Sequence, residues 1–155
     1  MVLALVLCLL LCGCSSTGPF SSNGEIVQLN LLTAPVGLDL DGRPGIDGFS
    51  TKVYASNASD PKAVPIRTGT LELLMFDGTL FGRTNVPPAL HTWSFTAEQL
   101  RNYEFKARIG TGYELLLPWG RDVPTRNMIT VGARYTSPEG KIVTSGLTSV
   151  TVLNK

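Results

Sequence analysis

After residue 25, Gly, Pro, Asn and Asp recur so closely that the chain is cut into short segments, most of which alternate apolar with polar side chains. A helix needs a longer run with a period of about 3.6, whereas alternation over about four to eight residues specifies a strand with one buried face. Phe49, Thr51, Val53 and Ala55 alternate with Ser50, Lys52 and Tyr54. Thr70 to Phe76, a short apolar-rich run, reads as another strand, closed by Asp77-Gly78, a dipeptide that favours positive φ and predicts a tight connection. Tyr113 to Leu117 reads as a further strand and ends at Pro118-Trp119. Ile26, Leu29, Leu31 and Leu32 supply a first strand in either of two registers.

The last part of the chain reads as a hairpin. Ile129, Val131, Ala133 and Tyr135 line one face, and Ser137-Pro138-Glu139-Gly140 has the Pro and Gly placement of a type I turn. Ile142 to Thr144 and Val150 to Val152 continue the return strand, and Gly146 between them predicts a bulge or bend. One helix signal interrupts this pattern. Thr96 and Gln99 form a capping box, flanked by Phe95 and Leu100 as a hydrophobic staple, so a short helix is expected near residues 97–104. About seven short strands and one short helix specify an all-β chain, an antiparallel β-sandwich. The pattern resembles the Ig-like or transthyretin-like sandwiches of exported bacterial proteins; a shared fold does not by itself give a function.

The N-terminus carries an address. Val2 to Leu11 holds no charged side chain. It is shorter than the about 20 apolar residues that span a bilayer, but matches a secretory apolar region of about 7–15. Leu11-Cys12-Gly13-Cys14 follows it and resembles the lipobox of bacterial lipoproteins. That resemblance implies a lipoprotein signal peptide over residues 1–13, removed before Cys14. It implies a thioether-linked diacylglycerol and an acylated amino group, commonly palmitate, on Cys14. The partner is then a membrane, held by two or more acyl chains, which anchor stably where one does not. Ser15 in place of Asp implies the outer membrane, facing the periplasm, if the source is Gram-negative. Residues 14–24 are Ser, Gly and Pro-rich and read as the lipidated Cys with a flexible tether; residues 25–155 form the sandwich domain.

All three cysteines, Cys8, Cys12 and Cys14, fall in the leader or at its end. The mature chain would keep no free thiol, no disulfide and no cysteine metal site. Thirteen basic against 12 acidic residues leave a net charge of +1, with no basic field for nucleic acid.

Asp39, Asp41 and Asp47 lie in a loop rich in Gly, from Gly37 to Gly48. Hard carboxylate oxygens in a flexible loop suit calcium. The same composition serves turns in which Asp accepts from its own backbone, and that reading weighs more. The EF-hand pattern is broken by Arg43, Pro44 and Ser50 at its ligand and glycine positions. Trp93 and Trp119 sit at element ends and could stack on sugar; the alternative is that they pack the core and its rim. His91 is the only histidine, so any catalytic triad would have to use it, and packing explains it more simply. The expected function is therefore a membrane-anchored, non-enzymatic β-sandwich that binds or spaces at the cell envelope. The alternatives are a calcium- or carbohydrate-binding module and a carboxylate-based hydrolase.

Overall fold

The computed structural model describes residues 24–152. The leader, Cys14 and nearly all of the tether lie outside the described residues. The strands are β1 (Ile26–Thr33), β2 (Gly48–Asn57), β3 (Thr70–Asp77), β4 (His91–Thr96), β5 (Glu104–Ala107), β6 (Gly110–Pro118), β7 (Met128–Thr136), β8 (Ile142–Thr144) and β9 (Thr148–Thr151). A single helical turn, α1 (Ala97–Leu100), runs into a 3₁₀ turn at Arg101–Tyr103. One sheet has the order β1-β2-β6-β5; the other has β4-β3-β7, with β8 and β9 both on the far side of β7. All pairings between these strands are antiparallel. The β-sandwich expected from the alternation is the fold.

The two inner faces meet in one core. Phe49 and Val53 of β2 and Tyr113, Leu115 and Leu117 of β6 are fully buried, and so are Leu71, Leu73 and Met75 of β3 and Ile129 and Val131 of β7. These are the alternate residues of each strand, as the pleat requires. The first strand resolves its register with a bulge. Ile26 pairs with Asn57 and Gln28 with Ser56, so Val27 is extra, and both Ile26 and Leu29 face inward despite their odd spacing. Near Gly146 the return strand carries three residues, 145 to 147, opposite two of β7, 132 and 133. Ser145 fills that bulge: its hydroxyl accepts from Ala133 N at 2.9 Å. Thr96 and Gln99 form the expected capping box, and Leu100 is fully buried.

Three expectations change. His91–Thr96 is a strand rather than a lead-in to the helix, and Glu104–Ala107 is another, so the described residues form nine strands instead of about seven. Gly78 does adopt positive φ, 86°. Yet Asp77-Gly78 does not close a hairpin, because β3 reaches β4 only after the loop through residues 78–90. The Asp77 carboxylate is committed elsewhere, accepting from Thr125 N, Thr125 Oγ1 and Arg126 N.

This topology gives the sandwich two poles. The near pole gathers Gly24, the loop 58–69, α1 and the β7–β8 turn. The far pole gathers the loops 34–47, 78–90 and 119–127. The eight residues of β1 set them about 26 Å apart.

Candidate functional site

Of the residues singled out from the sequence for a site, Cys14 lies outside the described residues; Asp39, Asp41, Asp47, Trp93 and Trp119 lie in or beside the far-pole loops. The acidic loop folds back on itself: Leu38 N donates to Gly48 O at 2.8 Å and Asp47 N to Leu38 O at 3.0 Å. Within it Asp47 Oδ1 accepts from Leu40 N at 2.6 Å, Asp39 Oδ1 from Gly42 N at 2.8 Å and Asp41 Oδ1 from Arg43 N at 2.9 Å. Asp41 with Arg43 is the Asx turn that the composition predicts, Asp39 spans one residue more, and Asp47 reaches back seven residues to close the loop. The three carboxylates also converge, with one oxygen from each within 4.8 Å of the others. The second oxygen of Asp41 faces Nε of the exposed Arg43 at 3.8 Å, so a cation there would compete with that guanidinium. Asp39 and Asp41 are exposed and Asp47 is half-buried.

The two tryptophans part company. Trp119 is 1% exposed. It roots the acidic loop: its backbone N–H donates to Asp47 O at 3.0 Å, and a Cβ on Gly37 would lie 3.4 Å from its Cη2. A ring buried to this degree offers no face to a sugar, which corrects its assignment to a stacking surface. Trp93 stays half-buried on edge strand β4. Its Nε1 donates to Pro118 O at 3.1 Å, and its ring meets Phe49 edge-on at 5.6 Å and His91 at 4.4 Å. His91 Nδ1 shares a hydrogen bond with Asp122 Oδ2, tying the 119–127 loop to β4. The lone histidine thus fastens a loop.

The far-pole loops also expose apolar side chains: Val36, Phe81, Val86 and Val123 all stand in solvent. A hollow of about 420 Å³ lies between Leu74, Phe76, Val86 and Pro87 on the outer face of the β3 sheet. None of these four exposed residues was selected from the sequence, because an apolar residue in a loop reads the same whether it is covered or bare.

At the near pole a cavity of about 360 Å³ opens between Ile26, Pro65, Tyr135 and Val143, rimmed by Glu25, Arg67, Glu139 and Lys141. It brings two acids to one cleft, the arrangement that carboxylate hydrolysis needs. Their chemistry runs the other way. Glu25 is paired with Lys141 Nζ at 2.8 Å. A hydrogen bond from Ser137 holds the Glu139 carboxyl below its ordinary value, opposite to what a general acid requires.

No family model matches this chain, and no curated protein matches it. No helix among the described residues is long and apolar enough to cross a membrane.

Proposed function

We propose that this protein is a lipid-anchored β-sandwich of the bacterial cell envelope whose far pole is its binding surface. One arrangement carries the reading: the described chain starts at Gly24, at the near pole, while Val36, Phe81, Val86 and Val123 stand exposed in the loops of the opposite end; the near pole exposes Ile109 and Ile142 as well. With the lipobox resemblance at Cys14, a tether of ten residues (15–24) would enter the near pole and hold the far pole away from the bilayer. At about 3.3 Å per residue the tether adds up to about 33 Å of reach. Exposed loop apolar groups presented in this way suit a protein or glycan partner. In the near-pole cleft Glu25 is paired with Lys141 and Glu139 is held below its ordinary value, which favours a binding or spacing role over general-acid catalysis there. Cys14→Ser should abolish incorporation of labelled palmitate and shift the protein from the membrane to the soluble fraction. Labelling that persists in this variant sinks the anchor.

A second reading rests on the converging carboxylates. Asp39, Asp41 and Asp47 supply hard carboxylate oxygens for calcium, one from each within 4.8 Å of the others. Binding to the folded state alone would raise the melting temperature as calcium is added. An unchanged melting curve in millimolar calcium and in chelator removes this reading and leaves the loop as a self-bonded turn.

A further inference from the structure

The four sheet edges are not treated alike. β1 is bulged between Ile26 and Gln28 and is fastened to the opposite sheet at both ends, by Glu25–Lys141 and by the Thr33–Thr148 hydroxyl pair. β5 is four residues long and carries Glu104 and Lys106. β8 is three residues long, and β9 is covered by a parallel bridge to Val36. Shortness, charge, bulges and cover are the usual protections of an exposed edge. β4 has neither a bulge nor a charged side chain of its own: His91–Thr96 runs six residues in unbroken register along β3, with no Pro and no Lys, Arg, Asp or Glu. A loop is tied to it at one end, His91 to Asp122. Its inward row, His91, Trp93 and Phe95, is only half-buried, while Thr92, Ser94 and Thr96 are exposed.

We propose that β4 is an interface between two copies of this chain, paired antiparallel about a two-fold axis at Trp93. The sequence is self-complementary in that register. Trp93 faces Trp93, Thr92 faces Ser94 and His91 faces Phe95 of the second copy, so inward residues meet inward residues and hydroxyls meet hydroxyls. No charged side chain is placed opposite a like one. Cross-strand aromatic and hydroxyl pairs of this kind are the favourable ones. The register leaves Thr96 free to keep the capping box that ends the strand. Two such edges would join the two sheets that contain β4 into one continuous sheet and close an isologous contact.

The test uses the protein purified from cells in detergent, with mass followed by light scattering over a concentration series. The wild type should pass from monomer to dimer. The double variant Thr92→Lys with Ser94→Lys changes two exposed side chains and sets Lys against Lys twice, which should weaken the dimer about tenfold or more. The matching Thr92→Glu with Ser94→Glu should behave the same alone, and an equimolar mixture of the two should restore the dimer. Gln28→Lys with Asn30→Lys on β1 should leave it unchanged. A wild type that stays monomeric, a lysine variant that dimerises as tightly as the wild type, or a mixture that fails to pair would each overturn the proposal.

Discussion

The two poles of this sandwich are built by different means. At the near pole the polar groups that hold the chain reach into the core. The buried Tyr113 hydroxyl accepts from Ile66 N at 2.6 Å, and Arg67 grips Glu104 with two hydrogen bonds, at 2.8 and 3.3 Å. Burial pushes the Tyr113 hydroxyl up from its ordinary value, keeping it neutral. At the far pole the buried Thr130 hydroxyl holds the 78–90 loop, accepting from Leu80 N and donating to Gly78 O, but most of the side-chain ties are carboxylates at or near the surface. Asp39, Asp41, Asp47, Asp77 and Asp122 each fasten loop backbone or a neighbouring side chain. Exposed bonds of this kind are each worth little net and can be broken singly. The contrast teaches that the near pole relies more on ties set inside the core and the far pole more on single ties at the surface of its loops.

The tryptophans give the largest expected effect. Trp119→Ala should cost about 4 kcal/mol, in the range for a fully buried aromatic, and should loosen the acidic loop rooted on it. Trp93→Ala removes a half-buried ring and should cost about half as much. Urea unfolding compares them. Equal losses would mean that the far pole has no private core and would weaken the contrast between the two ends.

Glycine substitutions compare the poles next. At the near pole the segment Ala63–Val64 wedges between β2 and β6, bridging to Ala55 and Gly110. A Cβ on Gly110 would lie 2.2 Å from Ala63 O, and the residue has φ of 115°. Gly110→Ala should therefore cost about 3 kcal/mol through backbone strain and displacement together. At the far pole Gly120 has φ of 59° with nothing within 4 Å of the Cβ position. Gly120→Ala should cost about 1 kcal/mol, the left-handed penalty alone. Similar midpoint shifts for the two variants would show the near pole to be as yielding as the far one.

Much of this fold was legible because its signals are local. Alternation placed β2 and β7, and short apolar runs between turn residues placed β3 and β6; Thr96 and Gln99 placed α1; Gly146 marked the bulge. β4 was missed although His91, Trp93 and Phe95 alternate with Thr92, Ser94 and Thr96. Its outward side carries hydroxyls in place of charge, and the capping box beside it drew the helical reading. β5 is four residues long, too short for alternation to register. The site was legible only as a set of residue types. That Asp39, Asp41 and Asp47 converge, and that Trp119 turns inward while Trp93 stays at the edge, depends on which strands become neighbours. Pairings such as Gly48 with Pro118, 70 positions apart, are tertiary and leave no mark in either segment.

The hydroxyl at the centre of the near pole offers a finer comparison. Tyr113→Phe leaves Ile66 N buried without an acceptor, which should cost about 2 kcal/mol. Asp47→Ala leaves Leu40 N beside solvent, where water replaces the carboxylate, and should cost about 0.5–1 kcal/mol. If the Asp47 variant loses more than the Tyr113 variant, surface carboxylates govern stability and the near pole is not the firmer end.

The smallest effect is a pH dependence specific to the near pole. Burial acts to raise the Glu104 carboxyl, but hydrogen bonds from Arg67 and Lys106, with their charges, outweigh it and hold the group below its ordinary 4.5. A folded value below the unfolded one means the unfolded chain binds the proton first as pH falls. The stabilisation is complete above the unfolded value and is lost as pH drops from there through the folded one. Glu104→Gln should therefore melt below the wild type at pH 7, and the gap should narrow from about pH 5 downward. Because the pair is partly exposed, added salt should shrink the gap at neutral pH as well. A gap that stays constant from pH 7 to acid would assign the effect to lost packing rather than to charge. The bidentate grip on Glu104 would then be a feature of shape, and the near pole would owe its firmness to Tyr113 and Gly110 alone.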